Sequence, residues 1–405
     1  LPLSEQIKAI VIQAMQSTVS DTAPKNAVAT AIDQRIYFDN AATTPLDPEV
    51  LEAMLPYMQT HFGNPSSIYS YGRETRLAVE TARKSVAKIL GARPGEIFFT
   101  SGGTESNNTA ILTSIRDLGC KHIITSPIEH HAVLHTVEHY GHSGQVTFSF
   151  VKLTACGEVD YHDLEEQLAN AREKTLVTLM HANNEIGTLL SIKHVGELCR
   201  KYGAVFHSDC VQTVGHYPIN LGELHIHFIS ASGHKFHGPK GTGILYVNEN
   251  IIIKPLILGG GQERNMRAGT ENVYGIVGFA KALEIAMRDY EKDSAHIRGL
   301  KQYMKEQLEQ QIPGTSFNCT DNSLYTVLSA CFPKTDKSEM LLFSLDINNI
   351  CASGGSACSS GADAGSHVMK ALHKAEQWAT VRFSFSKYNT KEEVDRAVVK
   401  LKELI

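Results

Sequence analysis

Lys235 lies in the run Ile229-Ser-Ala-Ser-Gly-His-Lys-Phe-His-Gly-Pro-Lys-Gly-Thr-Gly243, one strand–helix step after Ala204-Val-Phe-His-Ser-Asp-Cys-Val-Gln212. A lysine amine can condense with the aldehyde of pyridoxal phosphate. A carboxylate on the pyridine nitrogen, here Asp209, keeps that nitrogen protonated so that the ring accepts electrons. Asp209 and Gln212 are three residues apart at the mouth of a strand, so both can face one ligand edge. An aspartate at a strand-to-helix turn serves equally well as a helix N-cap, and both readings stand at this point.

Other runs add the groups such a cofactor needs. Phe99-Thr-Ser-Gly-Gly-Thr-Glu-Ser-Asn-Asn108 follows a strand and opens a helix. Small residues there let the backbone approach an anion, and free amides at the helix start would bind a phosphate at Gly103 and Thr104. Ser232 and His234 flank the lysine and can add donors. His130 closes Ser126-Pro-Ile-Glu-His130 after a strand, where an imidazole can lie on a ring face. His131, His135 and His139 share a helical face, but no cysteine or carboxylate set with zinc spacing accompanies them, so no metal is expected. A solvated histidine face is the expectation. Asn184, in Met180-His-Ala-Asn-Asn-Glu-Ile-Gly187, can reach a cofactor phenolate or a substrate carboxylate. The loop Gly259-Gly-Gly-Gln-Glu-Arg-Asn-Met-Arg-Ala-Gly-Thr270 is either a flexible surface loop or a phosphate contact across a subunit interface. Arg382, read at a strand end, can clamp a carboxylate bidentately. Thirteen of the fifteen residues Ala352–Ser366 are Gly, Ala or Ser, which argues for a mobile exposed loop presenting Cys358 for nucleophilic chemistry.

Positioning these groups is the task of the elements around them. Short apolar strands alternate with helical stretches from Ile36 to about residue 285, which predicts an α/β fold with a mostly parallel sheet covered by helices. The expected strands include Glu96–Thr100, His122–Thr125, Leu176–Met180, Ala204–His207, Phe228–Ala231 and Gly243–Val247. Ligands then belong at the strands' carboxyl ends. A long helix is expected near Val273–Glu291, then a smaller α+β part with helix Ser294–Gln311, strands Tyr325–Cys331 and Thr380–Ser384, and a last helix Lys391–Leu404. Residues 49–286 read as the cofactor domain, 35–48 with 287–405 as the small domain carrying Cys358, and 1–34 as an extension of unassigned role. In that extension Ile7, Ile10, Val11 and Met15 fall on one helical face.

With 405 residues, 42% hydrophobic and 20% charged, the composition is that of a globular protein. A net charge of −5 gives nucleic acid no basic footprint. No apolar run spans a bilayer and no secretory signal is visible, so no membrane contact is expected. Eight cysteines without a Cys-x-x-Cys pair favour free thiols and a cytoplasmic location.

In order, the chain carries Tyr37-Phe-Asp-Asn-Ala-Ala-Thr-Thr-Pro45, Gly63-Asn-Pro-Ser-Ser67, Thr100-Ser-Gly-Gly-Thr-Glu-Ser-Asn107, Glu129-His130 and His181-Ala-Asn-Asn-Glu-Ile-Gly187. Asp209 with Gln212, Ser232-Gly-His-Lys235, Gly238-Pro-Lys-Gly241, Gly259-Gly-Gly-Gln-Glu-Arg264 and Gly355-Ser-Ala-Cys358 follow. Together these resemble the cysteine desulfurases of NifS/IscS type, within the fold-type I, class V aminotransferase-like pyridoxal phosphate enzymes. The resemblance implies a seven-stranded sheet in the large domain, Lys235 as Schiff-base lysine, Asp209 on the pyridine nitrogen and His130 on the ring. Gln212 and Asn184 would lie near the phenolic oxygen, and Thr104, Ser232 and His234 at the phosphate. Thr270 would reach the other subunit's phosphate in a homodimer. Arg382 would hold the carboxylate of L-cysteine, and Cys358 would carry the persulfide to an acceptor such as an iron–sulfur scaffold. A selenocysteine lyase or another class V aminotransferase-like enzyme would share Lys235 and Asp209. Tyr69, Asn265 and Ala362-Asp-Ala-Gly365 depart from the family pattern.

Overall fold

The computed structural model describes residues 35–318, 322–354, 366–374 and 377–405, so the extension 1–34 and Cys358 lie outside the described residues. A two-residue strand, β1 (Ile36–Tyr37), opens the described chain. Seven strands follow: β2 (Ile97–Thr100), β3 (His122–Thr125), β4 (Thr147–Phe150), β5 (Thr175–Thr178), β6 (Val205–Asp209), β7 (Phe228–Ser232) and β8 (Gly243–Val247). They form one sheet in the order β2-β8-β7-β6-β5-β3-β4. Only β8 runs antiparallel to its neighbours β2 and β7; the other pairs are parallel.

Every residue of β2, β5, β6, β7 and β8 is buried, as expected of strands covered on both faces. One face packs against helices Ser70–Ile89, Ile192–Tyr202 and Val273–Arg288. The other packs against Gly103–Arg116 and His131–His142. Gly203, at φ 69°, closes helix Ile192–Tyr202 in the left-handed conformation and turns the chain into β6.

The helix expected at Val273–Glu291 instead runs Val273–Arg288; Asp289 (φ −100°, ψ 5°) breaks it, and a second helix runs Tyr290–Gln311. That helix packs with the C-terminal helix Lys391–Leu404 over a second core. The Thr390–Glu393 capping box starts the C-terminal helix at the expected residue. Strands β9 (Ser316–Phe317), β10 (Val327–Pro333), β11 (Ile350–Cys351) and β12 (Trp378–Ser384) complete this part. β10 pairs antiparallel with β9 and β12, and β11 pairs parallel with β1. The chain just after β1 is hydrogen-bonded both to β12 and to the segment after β7. Among the described residues, no helix is long and apolar enough to cross a membrane.

Candidate active site

The carboxyl ends of β2, β3, β5, β6 and β7 share one edge of the sheet, and a cavity of about 270 Å³ opens there. Gly103, Thr104, His130, Asn184, Asp209, Gln212, Ser232, His234, Lys235 and Arg382 all line it. Thr270 is exposed and lies elsewhere on the chain.

Asp209, the last residue of β6, is 5% exposed. Its carboxylate accepts from Asn107 Nδ2 at 2.6 Å and from the Val211 amide at 2.9 Å. The second bond is local and of the capping kind; the first comes from a separate helix and aims the carboxylate. Lys235 Nζ donates to Ala41 O at 2.6 Å and Ala42 O at 2.8 Å. Gln212 Nε2 donates to the same Ala41 oxygen at 3.1 Å. His234 Nδ1 lies 3.1 Å from Thr43 Oγ1. The strap after β1 therefore touches these three expected site residues and, through Asp39, Arg382 as well.

His130 caps helix His131–His142, its Nδ1 accepting the Ala132 amide at 3.1 Å. That bond leaves the proton on Nε2 of the neutral ring. Burial, then Lys235, holds its pKa below the ordinary value despite the opposing pull of Asp209. Burial, with Lys235 and Lys240, pushes His234 down to about 4. Both rings are therefore neutral near pH 7. Glu129 is buried, and burial drives its carboxyl well above the usual range. It accepts the Met180 amide at 2.9 Å, which holds the β3 and β5 ends together.

Arg382 is the fifth residue of β12, within the strand rather than at its end, and is 1% exposed. Its guanidinium donates to Asp39 Oδ1 at 2.6 Å and Asn184 O at 2.8 Å. His131 is no merely solvated histidine. It is half-buried at the cavity, stacked on His135 at 4.5 Å and packed against His367 at 4.5 Å. Burial and these neighbours lower its pKa to about 4. Among the described residues no group of three or more His, Cys, Asp or Glu is placed to hold a metal.

These residues fit pyridoxal phosphate. The helix Gly103–Arg116 begins without a side-chain cap, which leaves its first amides for an anion. A Cβ on Gly103 would come within 2.5 Å of Val211 Cγ2, so only glycine permits that backbone approach. Ser232 and His234 also line the cavity, and Ser232 Oγ lies 3.4 Å from the Cβ position of Gly102, next to that helix start. A fixed carboxylate as acceptor, with an amine and an arginine as donors, completes the set.

Asn107, Asp39 and the carbonyls of Ala41 and Ala42 do work that sequence reasoning did not assign. Asn107 and Asp39 stand in the runs Thr100–Asn107 and Tyr37–Pro45 that carry the family resemblance, their one signal in the sequence.

The family model for class-V aminotransferases matches residues 36–397. Cysteine desulfurase IscS of Dictyoglomus turgidum is 43% identical over 380 residues, covering 92% of this chain and 95% of that protein. Among solved structures, a NifS-like protein superposes with a TM-score of 0.84 at 38% identity, covering 91% of this chain and 99% of the other. A structure of SspA in complex with cysteine superposes at 0.75 with 35% identity, over 88% and 100% of the two chains.

Proposed function

The chain belongs to the class V aminotransferase family, among its cysteine desulfurases of fold type I, and on that premise we propose how its residues divide the work of taking sulfur from L-cysteine. The observation that carries the proposal is the meeting of Lys235, Asp209, His130 and Arg382 around one cavity.

Pyridoxal phosphate is the cofactor these residues would hold. Lys235 would take its aldehyde and Asp209 its ring nitrogen. Gln212 and Asn184 would take the phenolic oxygen, and Gly103, Thr104, Ser232 and His234 the phosphate. When bound, it supplies an electron sink for bonds broken at the substrate's α-carbon. Arg382, its plane fixed by Asp39 and Asn184 O, binds the carboxylate of L-cysteine. Lys235 Nζ removes the α-proton. Asp209, held by Asn107, keeps the ring-nitrogen proton in place. Neutral His130 covers the ring face without adding charge.

Cys358 forms a sulfur–sulfur bond to the substrate as the Cβ–S bond breaks. The carbon leaves with the electron pair and gains a proton, so L-cysteine and an enzyme thiol become L-alanine and a persulfide without an external oxidant. An acceptor protein, such as an iron–sulfur scaffold, then takes the sulfur.

Thr270 would serve the phosphate of a second subunit in a homodimer. The division into 49–286 and 35–48 with 287–405 is supported by a second core built only from the latter segments, apart from Tyr217 packed at its edge. The six described cysteines form no disulfide with one another, which fits a reducing compartment such as the cytoplasm.

Alanine release from L-cysteine by the protein and by Cys358→Ala, with a reductant present, tests the reading. Release by the first and almost none by the second is expected. Equal release would mean a lyase that does not use Cys358, and none from either would reject L-cysteine as substrate.

A further inference from the structure

We propose that Glu185 is a positioning residue for sulfur transfer, fastening one root of the cysteine-bearing segment to the turn that steadies the carboxylate clamp. The inference rests on the desulfurase reading above. Residues Ser353 and Ser366 flank the segment that contains Cys358, and both are tied to one cluster. At the first root, the Arg382 amide donates to Ser353 O at 2.7 Å and the Ser353 amide to Arg382 O at 3.3 Å. At the second, Ser366 Oγ donates to Glu185 Oε2 at 2.5 Å and accepts the Met369 amide at 3.1 Å, capping helix His367–Ala371. The Arg382 guanidinium joins the two roots by donating to Asn184 O, one residue before Glu185.

Glu185 cannot be an incidental surface group. It is 3% exposed and lines the cavity. Its own amide is held by Asn183 Oδ1 at 2.8 Å, which fixes the direction of the turn. Burial raises its carboxyl pKa, against the pull of Ser366, His367 and Arg382. A buried carboxyl is costly unless hydrogen-bonded, so the bond to Ser366 is one the fold must keep. Val368 and Met369 pack with Ile128 and Ile186, anchoring the same root by apolar contact. The carboxyl thus fixes the lateral position of the root while the apolar contacts hold it down. A nucleophile that must meet substrate held on Arg382 gains from a root fixed on that same arginine's neighbours, because catalysis falls steeply with misplacement of reacting groups.

The experiment uses the full chain with its cofactor and compares Glu185→Ala, Glu185→Gln, Ser366→Ala and the Glu185→Ala/Ser366→Ala double variant. Alanine release is read as kcat and KM, and the rate of Cys358 alkylation is followed by peptide mass spectrometry. Each alanine variant should lower kcat about tenfold, the worth of one such hydrogen bond, with KM within about twofold. The double variant should lose no more than Ser366→Ala alone, since that change already removes both the bond to Glu185 and the helix cap. Glu185→Gln, which still accepts from Ser366, should recover to within about threefold. Cys358 alkylation should change in both alanine variants and stay near the unmodified rate in Glu185→Gln. Additive losses, a Glu185→Gln as impaired as Glu185→Ala, or a rise in KM at constant kcat would each overturn the proposal. Should Glu185→Ala fail to fold, Ser366→Ala and Glu185→Gln decide it. Failure of the unmodified protein to release alanine, or full release by Cys358→Ala, would instead sink the desulfurase reading.

Discussion

Two nitrogens of the Arg382 guanidinium are already committed, to Asp39 and to Asn184 O. That commitment sets the plane of the guanidinium fork, in which the proposed substrate carboxylate would be received. Arg382→Lys keeps the charge and loses the planar fork. It should raise KM for L-cysteine on the order of 100-fold, with a smaller change in kcat, in steady-state alanine assays. At Asp209 the decisive partner is Asn107. Asn107→Ala removes one of the two bonds that aim the carboxylate and should lower kcat about tenfold, with a shifted absorbance of the bound cofactor. An unchanged spectrum and rate would show that the Val211 amide alone suffices. Lys235, Asp209, His130 and Arg382 were legible because their side-chain chemistry at strand ends or beside small residues advertises them; Asp39 and Glu185, equally charged, were not, because only the fold brings them to the site. The carbonyls of Ala41 and Ala42 were not, since a main-chain oxygen carries no trace of its residue type and only the fold brings it to Lys235.

Strand and helix positions followed from apolar runs. His122–Thr125, Gly243–Val247 and Lys391–Leu404 fall where their patterns place them. β4 escaped notice because an edge strand with half-buried and exposed positions lacks the continuous apolar run of its neighbours. The break at Asp289 escaped because a turn between two helices of compatible periodicity leaves the pattern unbroken. The loop that carries Thr270 is held by a device spread over distant sequence. Arg83, 1% exposed, donates two bonds of 2.8 Å to Glu263, which also accepts the Phe99 amide at 2.8 Å. Arg83→Ala strands a buried carboxylate and should cost about 3–5 kcal/mol in denaturant unfolding. A loss below ~1 kcal/mol would mean that the loop rearranges to solvate Glu263. The same loop accounts for a departure from the family pattern. Asn265 sits at φ 65°, a left-handed conformation that asparagine tolerates and glycine favours, so Asn265→Gly should leave stability nearly unchanged.

Across the whole molecule, buried histidines set the response to acid. His181, His216, His234 and His237 are pushed down to about 4 and His207 to about 3, each chiefly by burial, from an ordinary 6.5. The unfolded chain therefore binds protons first as pH falls from about 6.5 toward 4, and stability falls with it. Glu129 and Glu185, whose carboxyls are raised by burial, act in the opposite sense, since the folded chain then holds their protons at pH values where the unfolded chain has released them. Histidines shifted in this way, His131 among them, outnumber the raised carboxyls, to which Glu271 and Asp293 also belong, so thermal unfolding should come earlier at pH 5 than at pH 7. An unchanged or higher midpoint at pH 5 would contradict this. The strap from Asp39 to Thr44 sets an order of manufacture. Its partner Arg382 lies 343 residues further along the chain, so during translation the strap must wait for almost the whole protein to be made. At ribosomal speeds that wait is roughly 17–70 s. The large sheet can assemble earlier, but Lys235 and Arg382 share the strap as a common support only once the last strands have emerged.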